Sequence, residues 1–283
     1  MARANGRARK KADFATFAGL LLSAAGILGG LYLEGGKVTD VLQFTAALIV
    51  VLGTAGAVMV TTPTPLLWAA GRRVKDLFWE STPSSAAVIA RLLELARQAR
   101  RTGIVSLEQA AEELSDPFLR KALSLAVDGA DLQDLRRIME LEIGVAERRG
   151  EAEAKVFETA GGYAPTIGII GAVLGLIQVM KHLEDIERVG HGIAVAFVAT
   201  VYGVSLANLV LLPAANKLKA RLEQTLHFQE LTLEGVIGIA EGMNPRLLES
   251  KLEAFLEKAA DGAREAGPAA QRSRAASSAA AAR

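Results

Sequence analysis

Two apolar runs near the middle of the chain decide the fold: YAPTIGIIGAVLGLIQVM, residues 163–180, and GIAVAFVATVYGVSLANLVLL, residues 192–212. A bilayer core about 30 Å thick is crossed by about 20 helical residues, so each run is long enough to span it. The connector between them, residues 181–191, is short. The pattern therefore predicts an antiparallel hairpin of two membrane-spanning helices.

Two further apolar runs precede this hairpin, at residues 14–33 and 41–60, and they form a first hairpin over residues 14–60. None of the four runs contains Asp, Glu, Lys or Arg. The chain is 51% hydrophobic but only 5% aromatic, and its mean hydropathy is +0.28. This composition is typical of membrane helices, and uncharged runs of this length are rare in water-soluble bundles. The sequence predicts an all-α integral membrane protein with four transmembrane helices.

The basic residues indicate how the four helices are oriented. Clusters of Lys and Arg precede the first run and follow the second and the fourth, whereas the two short connectors carry little positive charge. By the positive-inside rule, both termini and the long middle segment are predicted to be cytoplasmic. The basic segment 1–13 is not expected to be a cleaved signal peptide, because the apolar run that follows it is too long and lacks a cleavage site. The clusters comprise Arg3, Arg7, Arg9, Lys10, Lys11, Arg72, Arg73, Lys75, Lys217, Lys219 and Arg221.

The remaining segments divide the chain further. Between the hairpins lies a large charged insertion, residues 61–160, whose spacing and turn signals predict a helical cytoplasmic domain. Its last part, residues 131–159, is predicted to run as one helix into the third span. After the second hairpin, residues 161–213, we expect a cytoplasmic helix at 214–260 and a disordered tail at 261–283, because the tail is rich in Ala, Arg and Ser.

The four spans lack a group that an ion carrier normally needs. Proton and sodium carriers usually hold an intramembrane carboxylate whose charge changes during transport. Either the protein carries no ion, or another chain supplies the acid. The balance of 32 basic and 31 acidic residues gives no support for a nucleic-acid partner. Cysteine is absent and the three histidines are scattered, so we predict no enzyme activity, no cofactor and no metal site.

Small residues recur at helical spacing along spans one, three and four, and Gly171 with Gly175 forms a GxxxG pair. Such stripes let helices approach closely. The pattern leaves open whether they pack the helices of one chain or join this chain to others.

Three polar or kinking residues of the second hairpin are candidates for an ion path. Pro165 and Pro213 lie at similar distances from the connector, which predicts one depth near the cytoplasmic end for both. They either mark helix ends, which spacing alone favours, or form a hinge at the exit of an ion path. Thr200, near the middle of the bilayer, either lines a wet path or bonds back to the preceding turn.

Four blocks of the sequence resemble the MotA/PomA stator subunits of bacterial ion-driven motors. They are LEGG at 33–36, IVVLGTAGAV at 49–58, APTIGIIGAVLGLI at 164–177 and IAVAFVATVYGVSLANLVLLPAANKL at 193–218. The resemblance implies a flagellar motor subunit of the inner membrane, five copies of which surround two copies of a MotB-type subunit. That partner would supply the ion-binding Asp and anchor to peptidoglycan, and ion flow would make the cytoplasmic domain push on the rotor protein FliG.

The resemblance also implies roles for individual residues. The two prolines of the family's ion path fall on Pro165 and Pro213, and its pore threonine falls on Thr200. Sodium-type relatives carry Thr where this sequence has Ala172, and a methyl group cannot replace water around a sodium ion, so we expect proton coupling. The family's charged rotor-facing pattern falls on Arg100, Gly103, Leu107 and Glu108, with Arg101 beside it.

Other functions fit the sequence less well. An energiser of the ExbB/TolQ type also pairs with a carboxylate-bearing subunit, but it has three spans and an external N-terminus. A motor of the stator type outside the flagellum remains an alternative. A stand-alone secondary transporter would need an intramembrane ionisable residue and a repeat with broken helices, and the sequence has neither.

Overall fold

The computed structural model describes residues 11–80 and 85–256. These residues are helical almost throughout, as predicted. One short antiparallel pair of strands is present, β1 (Lys11–Ala12) and β2 (Trp79–Glu80). The predicted tail at 261–283 and most of the basic segment 1–13 lie outside the described residues.

The helices, in chain order, are α1 (Phe14–Leu33), α2 (Val38–Val41), α3 (Phe44–Thr61), α4 (Thr64–Phe78), α5 (Ser85–Thr102), α6 (Glu108–Glu112), α7 (Pro117–Val127), α8 (Leu132–Lys181), α9 (Ile186–Ser205), α10 (Leu212–Ala240) and α11 (residues 245–256). A 3₁₀ turn at Ile104–Leu107 precedes α6, and a π-helical segment at Leu206–Leu211 joins α9 to α10. By length and composition, four helical stretches of the described chain can cross a membrane: Phe14–Leu33, Phe44–Thr61, Leu132–Lys181 and Ile186–Ala240.

The chain divides into two compact units. We call the first the hairpin unit, described at residues 11–80 and 148–222, because it holds the apolar helices. We call the second the core unit, described at residues 85–147 and 223–256, because it holds the largest cluster of buried apolar side chains.

Helix ends in the hairpin unit differ from those predicted by hydropathy. The second apolar helix, α3, begins at Phe44 rather than at residue 41, because the chain leaves the helical conformation at Leu42 and Gln43. The last begins at Ile186 rather than at residue 192. Asp185 caps it there by accepting hydrogen bonds from the amides of Glu187 and Arg188, at 3.1 and 3.2 Å. A polar cap thus sets the start of α9, whereas hydropathy locates only the apolar part.

The core unit packs short amphipathic helices around the ends of two long ones. Leu92, Leu107, Leu123, Leu135 and Leu231 have no exposed surface. They come from α5, the 3₁₀ turn, α7, α8 and α10, so one apolar cluster joins all five elements. The helix predicted to run from residue 131 into the third span is present as α8, a single helix of 50 residues.

The predicted single helix at 214–260 is wrong, because the chain turns at residues 241–244 before α11 begins. Gly242 has a φ of +70° there, a conformation that side chains other than glycine rarely adopt. Leu248 and Leu252 of α11 are fully buried in the apolar cluster. The break therefore allows α11 to fold back onto the core unit instead of continuing the line of α10.

The start of α1 is held by polar contacts in the hairpin unit. Asp13 caps α1 by accepting from the amide of Thr16 at 3.2 Å, and it also binds the side chains of Lys217 and Arg221. The amide of Asp13 donates to the carbonyl of Phe78 at 3.0 Å. The hydrogen bond from Lys217 lowers the pKa of Asp13 from 3.8 to about 2. The carboxylate thus joins α1 to α10.

We expect the substitution Asp13→Asn to reduce the free energy of unfolding by about 2 kcal/mol at neutral pH. A depressed pKa contributes stability above the unfolded value of 3.8 and loses it as the pH falls toward about 2. The difference in the free energy of unfolding between the native protein and the variant should therefore decrease as the pH falls over that interval. Thermal unfolding in detergent at several pH values measures it. Asp76→Asn, which removes a half-exposed pair with Arg73, is the control and should have little effect.

Candidate functional site

Helices α8 and α9 pack against each other through their backbones. A Cβ atom placed on Gly168 would lie 2.8 Å from the carbonyl oxygen of Ala199, and one on Gly203 would lie 2.5 Å from that of Ala164. Near the other end of the contact, a Cβ on Gly175 would lie 2.8 Å from the carbonyl oxygen of Gly192. Glycine is required here by the close approach of two main chains. The small residues of spans three and four therefore serve packing within the chain.

The stripe of α1 is different. A Cβ atom placed on Gly19, Gly26 or Gly30 would have no other described part of the chain within 4 Å. None of the residues of α1 is buried. This face contacts nothing in the described chain, so it remains available to other transmembrane helices.

Thr200 and Ala172 lie on the two helices of this close contact. The hydroxyl of Thr200 donates to the carbonyl of Ala196 at 3.2 Å, which is the ordinary bond of a membrane threonine to its preceding turn. The Cα of Thr200 lies close to Gly168 of α8. Ala172 follows Gly171, whose Cβ position faces Ala199. The structure thus places the two candidates on the two helices of one packed pair, and both are half-buried.

The two prolines do not mark helix ends and do not lie at one level of the hairpin. Pro165 is inside α8, and Pro213 is the second residue of α10 within one continuous helical stretch. The Cα of Pro165 lies beside Gly203, and Pro213 follows ten positions further along that stretch. The prediction of one depth is wrong, because the cap at Asp185 starts α9 earlier than hydropathy suggested.

The π-helical segment directly before Pro213 was not predicted. Proline has no N–H and its ring clashes with the carbonyl of the residue four positions earlier. The wider turn relieves this crowding, and the amide of Leu212 bonds to the carbonyl of Ala207. The side-chain amide of Asn208 donates to the carbonyl of Val204 at 2.9 Å. π-helical turns occur frequently at functional sites, and Pro213 was the only signal for this one.

Tyr202 makes long-range contacts that the sequence did not predict. Its hydroxyl donates to the carbonyl of Val41 and accepts from the amide of Gln43 at 3.4 Å, so it bridges the break between α2 and α3. Oε1 of Gln43, at this break, is buried without a hydrogen-bond partner in the described chain. Tyr202 therefore ties the helix that carries Thr200 to the first hairpin.

A buried carboxylate, Glu153, lies on α8 in the hairpin unit. Only 3% of it is exposed. It accepts from Nε of Arg73 at 2.6 Å and from Nε of Arg149 at 3.2 Å. Burial opposes the charge on Arg73, but the bond to Glu153 outweighs it and raises the pKa of the guanidinium above its usual value. This pair joins α4 to α8.

The candidate rotor-facing residues lie in the core unit, at the end of α5 and the start of α6. Arg100, Arg101 and Glu108 are all exposed, and none forms an ion pair with another described residue. Gly103, with a φ of +84°, ends α5 between them as predicted. Leu107 is fully buried beneath the turn.

Hydrogen bonds hold this turn in one conformation. The hydroxyl of Ser106 donates to the carbonyl of Gly103 at 2.7 Å and lies 2.6 Å from the hydroxyl of Thr102. The side-chain amide of Gln98 donates to the carbonyl of Ser106 at 3.1 Å. The unpaired charges are therefore presented from a fixed scaffold. Within residues 11–80 and 85–256, no group of three or more His, Asp or Glu side chains is placed to hold a metal ion.

Comparison with known proteins agrees with this arrangement. The sequence model of the MotA/TolQ/ExbB proton channel family matches residues 110–230. Motility protein A of Bacillus subtilis (strain 168) is 36% identical over 245 residues, which cover 86% of this chain and 91% of that protein.

Two solved structures have the same fold. A chain of the C. jejuni MotAB structure is similar with a TM-score of 0.82 at 34% identity, covering 86% of this chain and 95% of that one. A chain of the flagellar MotAB stator complex from Bacillus subtilis is similar with a TM-score of 0.78 at 36% identity. The match covers 83% of this chain and 93% of that one. Since sequence and fold agree over nearly the full length of these relatives, the chain belongs to the MotA/TolQ/ExbB proton channel family of membrane proteins, as a MotA-type stator subunit.

Proposed function

We propose that this chain forms, with a MotB-type partner, an ion channel of the flagellar motor that couples ion flow to torque on the rotor. One observation carries the proposal: the apolar runs at 14–33, 41–60, 163–180 and 192–212 contain no ionisable Asp, Glu, Lys or Arg. A channel that moves protons needs a titratable group inside the membrane. The partner's transmembrane Asp supplies it. Solved complexes of similar chains named MotAB support this pairing.

The proposed topology has four spans in the bacterial inner membrane, with both termini and the insertion at 61–160 in the cytoplasm. Basic clusters after the second and fourth spans support this orientation. A ring of five copies surrounds two copies of the partner. The uncovered glycine stripe of α1 supports assembly with further helices, since such stripes favour close helix contacts.

The proposed ion path runs along the second hairpin and involves Thr200, Ala172, Pro165 and Pro213. Close backbone contacts between α8 and α9 beside Pro165 and Thr200 support this path. Pro213 and the π-helical segment provide a place where the helix can change its hydrogen bonding, because the ladder there already departs from the α-helical pattern. The core unit transmits the motion to a FliG-type rotor protein through Arg100, Arg101 and Glu108.

Reconstitution in liposomes tests the requirement for a partner. The purified chain alone should pass no more protons than empty vesicles, because its spans hold no Asp, Glu, Lys or Arg. Flux should appear when the MotB-type subunit is included and should be lost when that subunit's transmembrane Asp is changed to Asn. Flux at a motor-like rate through the chain alone would exclude the proposed function.

The coupling ion is tested by swimming speed. We expect speed to follow the proton gradient and to be the same in sodium-rich and sodium-free media at one pH, because the methyl group of Ala172 offers no ligand to a sodium ion. Tethered or free-swimming cells that express the chain and its partner provide the measurement. A speed that rises with sodium at constant pH would contradict proton coupling.

A further inference from the structure

The core unit contains a pocket beside the candidate rotor-facing charges. Its volume is about 140 Å³. The lining comes from the end of α5, the 3₁₀ turn, the end of α10 and the turn after it. Its apolar side chains are Ala96, Ala99, Ile104, Ile239, Ala240 and Met243, and its polar surface is nearly as large as its apolar surface. A cavity of about 150 Å³ with apolar walls binds benzene, so this pocket has room for one leucine- or methionine-sized side chain.

The pocket is built into the fold. The turns that contribute to it contain glycines at positive φ, Gly103 at +84° and Gly242 at +70°. Leu107 and Leu248 anchor these turns and are fully buried. The wall from α5 carries the methyl groups of Ala96 and Ala99 and the side chain of Arg100. The pocket therefore stays open, because its small residues lie on helices and turns that other contacts hold in place.

Arginines border the pocket on its α5 side, and the exposed Glu241 lies between the lining residues Ala240 and Gly242. Arg100 lines the pocket and is exposed, and Arg97 and Arg101 are exposed on the same helix. None of the three forms an ion pair with another described residue. Unpaired guanidinium groups bind carboxylates in preference to other partners, often through two parallel hydrogen bonds. The α5 side of the pocket is complementary to acidic residues beside an apolar side chain.

The terminal segments outside the described residues do not match these requirements. Residues 257–283 contain five basic and three acidic residues and no Leu, Ile, Val, Met or aromatic residue. Residues 1–10 contain four basic residues and no acidic one. Neither segment offers an apolar side chain flanked by carboxylates, so the complementary occupant belongs to another protein.

We propose that this pocket receives one apolar side chain from the rotor partner, from a helix on which acidic residues flank that side chain. The inference rests on the proposed function and extends it, because it adds an apolar anchor to the charge contacts. Buried apolar anchors in small pockets carry most of the binding energy of many interfaces, whereas exposed charges mainly steer and orient the partners.

Filling the pocket tests the proposal. Ala99→Leu places a larger side chain in the space, and Ala90→Leu makes the same change at an exposed position of α5 outside the lining. Both variants are expressed in the full chain with its MotB-type partner. With Ala99→Leu at normal membrane abundance, we expect swimming speed to fall and co-purification of the rotor switch protein to drop about tenfold or more, a change of 1.4 kcal/mol. Ala90→Leu should resemble the native chain.

Allele-specific suppression identifies the occupant. Changing the matching apolar residue of the rotor protein to Ala should restore swimming with Ala99→Leu. The smaller side chain of the rotor protein then leaves room for the larger side chain at position 99. If Ala99→Leu fails to accumulate, Ala240→Leu fills the pocket from α10 and takes its place.

Three results would overturn the proposal. The first is normal swimming and normal rotor binding by a filled variant at native abundance. The second is an equal defect with Ala90→Leu. The third is loss of the defect when the chain ends at residue 256, which would make its own tail the occupant. Proton flux through the reconstituted complex is measured separately and does not depend on these results. Failure of the docking proposal is therefore distinguishable from failure of the proposed function.

Discussion

Changing Gly168 to valine is expected to remove most of the assembled protein from the membrane. The Cβ of the new side chain would lie 2.8 Å from the carbonyl oxygen of Ala199 and 3.2 Å from the Cα of Gly203. Both are backbone atoms, so no side chain can rotate away, and α8 and α9 must separate. Overpacking of this kind costs about 1–3 kcal/mol and occasionally more. Membrane abundance and the thermal unfolding temperature in detergent measure the loss.

The same helix supplies a matched control. A Cβ atom placed on Gly162 meets nothing within 4 Å in the described chain. Gly162→Val makes the identical chemical change in α8, with the same effect on helix propensity. It should retain near-native abundance. Equal losses for the two variants would show that the effect comes from valine in the helix and not from the contact with α9.

Reversing the charges of both Arg100 and Glu108 is expected to impair motility while the protein still assembles. Both residues are exposed and neither stabilises the core unit through an ion pair with a described residue, so folding should be unaffected. Charge complementarity sets the rate at which two surfaces engage, and its loss lowers that rate by a factor of about ten or more. The expansion rate of swimming colonies measures the effect, and immunoblots of membranes measure assembly.

Arg91 and Glu94 of α5 provide the control for this double reversal. They are exposed and pair with each other at 2.6 Å, so exchanging their charges keeps the pair. That variant should swim normally. Full motility of the Arg100 and Glu108 variant at native abundance would refute their assignment to the rotor contact.

The apolar helices were predictable because their signal is local. An uncharged run of about 20 residues has few explanations other than a membrane span. The ends of these helices were less predictable. The cap at Asp185, for example, starts α9 within polar residues that a hydropathy scale does not assign to the span. The break after α10 was missed for a related reason. It depends on Gly242 and on the burial of Leu248, which a continuous helical pattern conceals.

The polar contacts of the hairpin unit were not predictable from one sequence. Tyr202 binds Val41 across 161 positions of the chain, and no periodicity links the two. Glu153 resembles any other charge of a solvated helix in sequence, yet it is buried between two arginines. The choice of Arg100, Arg101 and Glu108 came from the family resemblance, since sequence alone favours an ordinary solvated helix end. Their role stays a prediction, which the charge reversal tests.

The π-helical segment at Leu206–Leu211 also determines the effect of deleting a residue from this helical stretch. Its ladder bond spans five residues instead of four, so the turn holds one residue more than an α-helical turn would. The extra residue rotates the side chains that follow it, including Lys217 and Arg221. Their directions around the helix axis differ by about 100° from those that a regular α-helix with 3.6 residues per turn would give. Deleting one residue within the turn would remove the π-helical bond and leave both cations aimed at Asp13. The same deletion inside α9 would point them elsewhere.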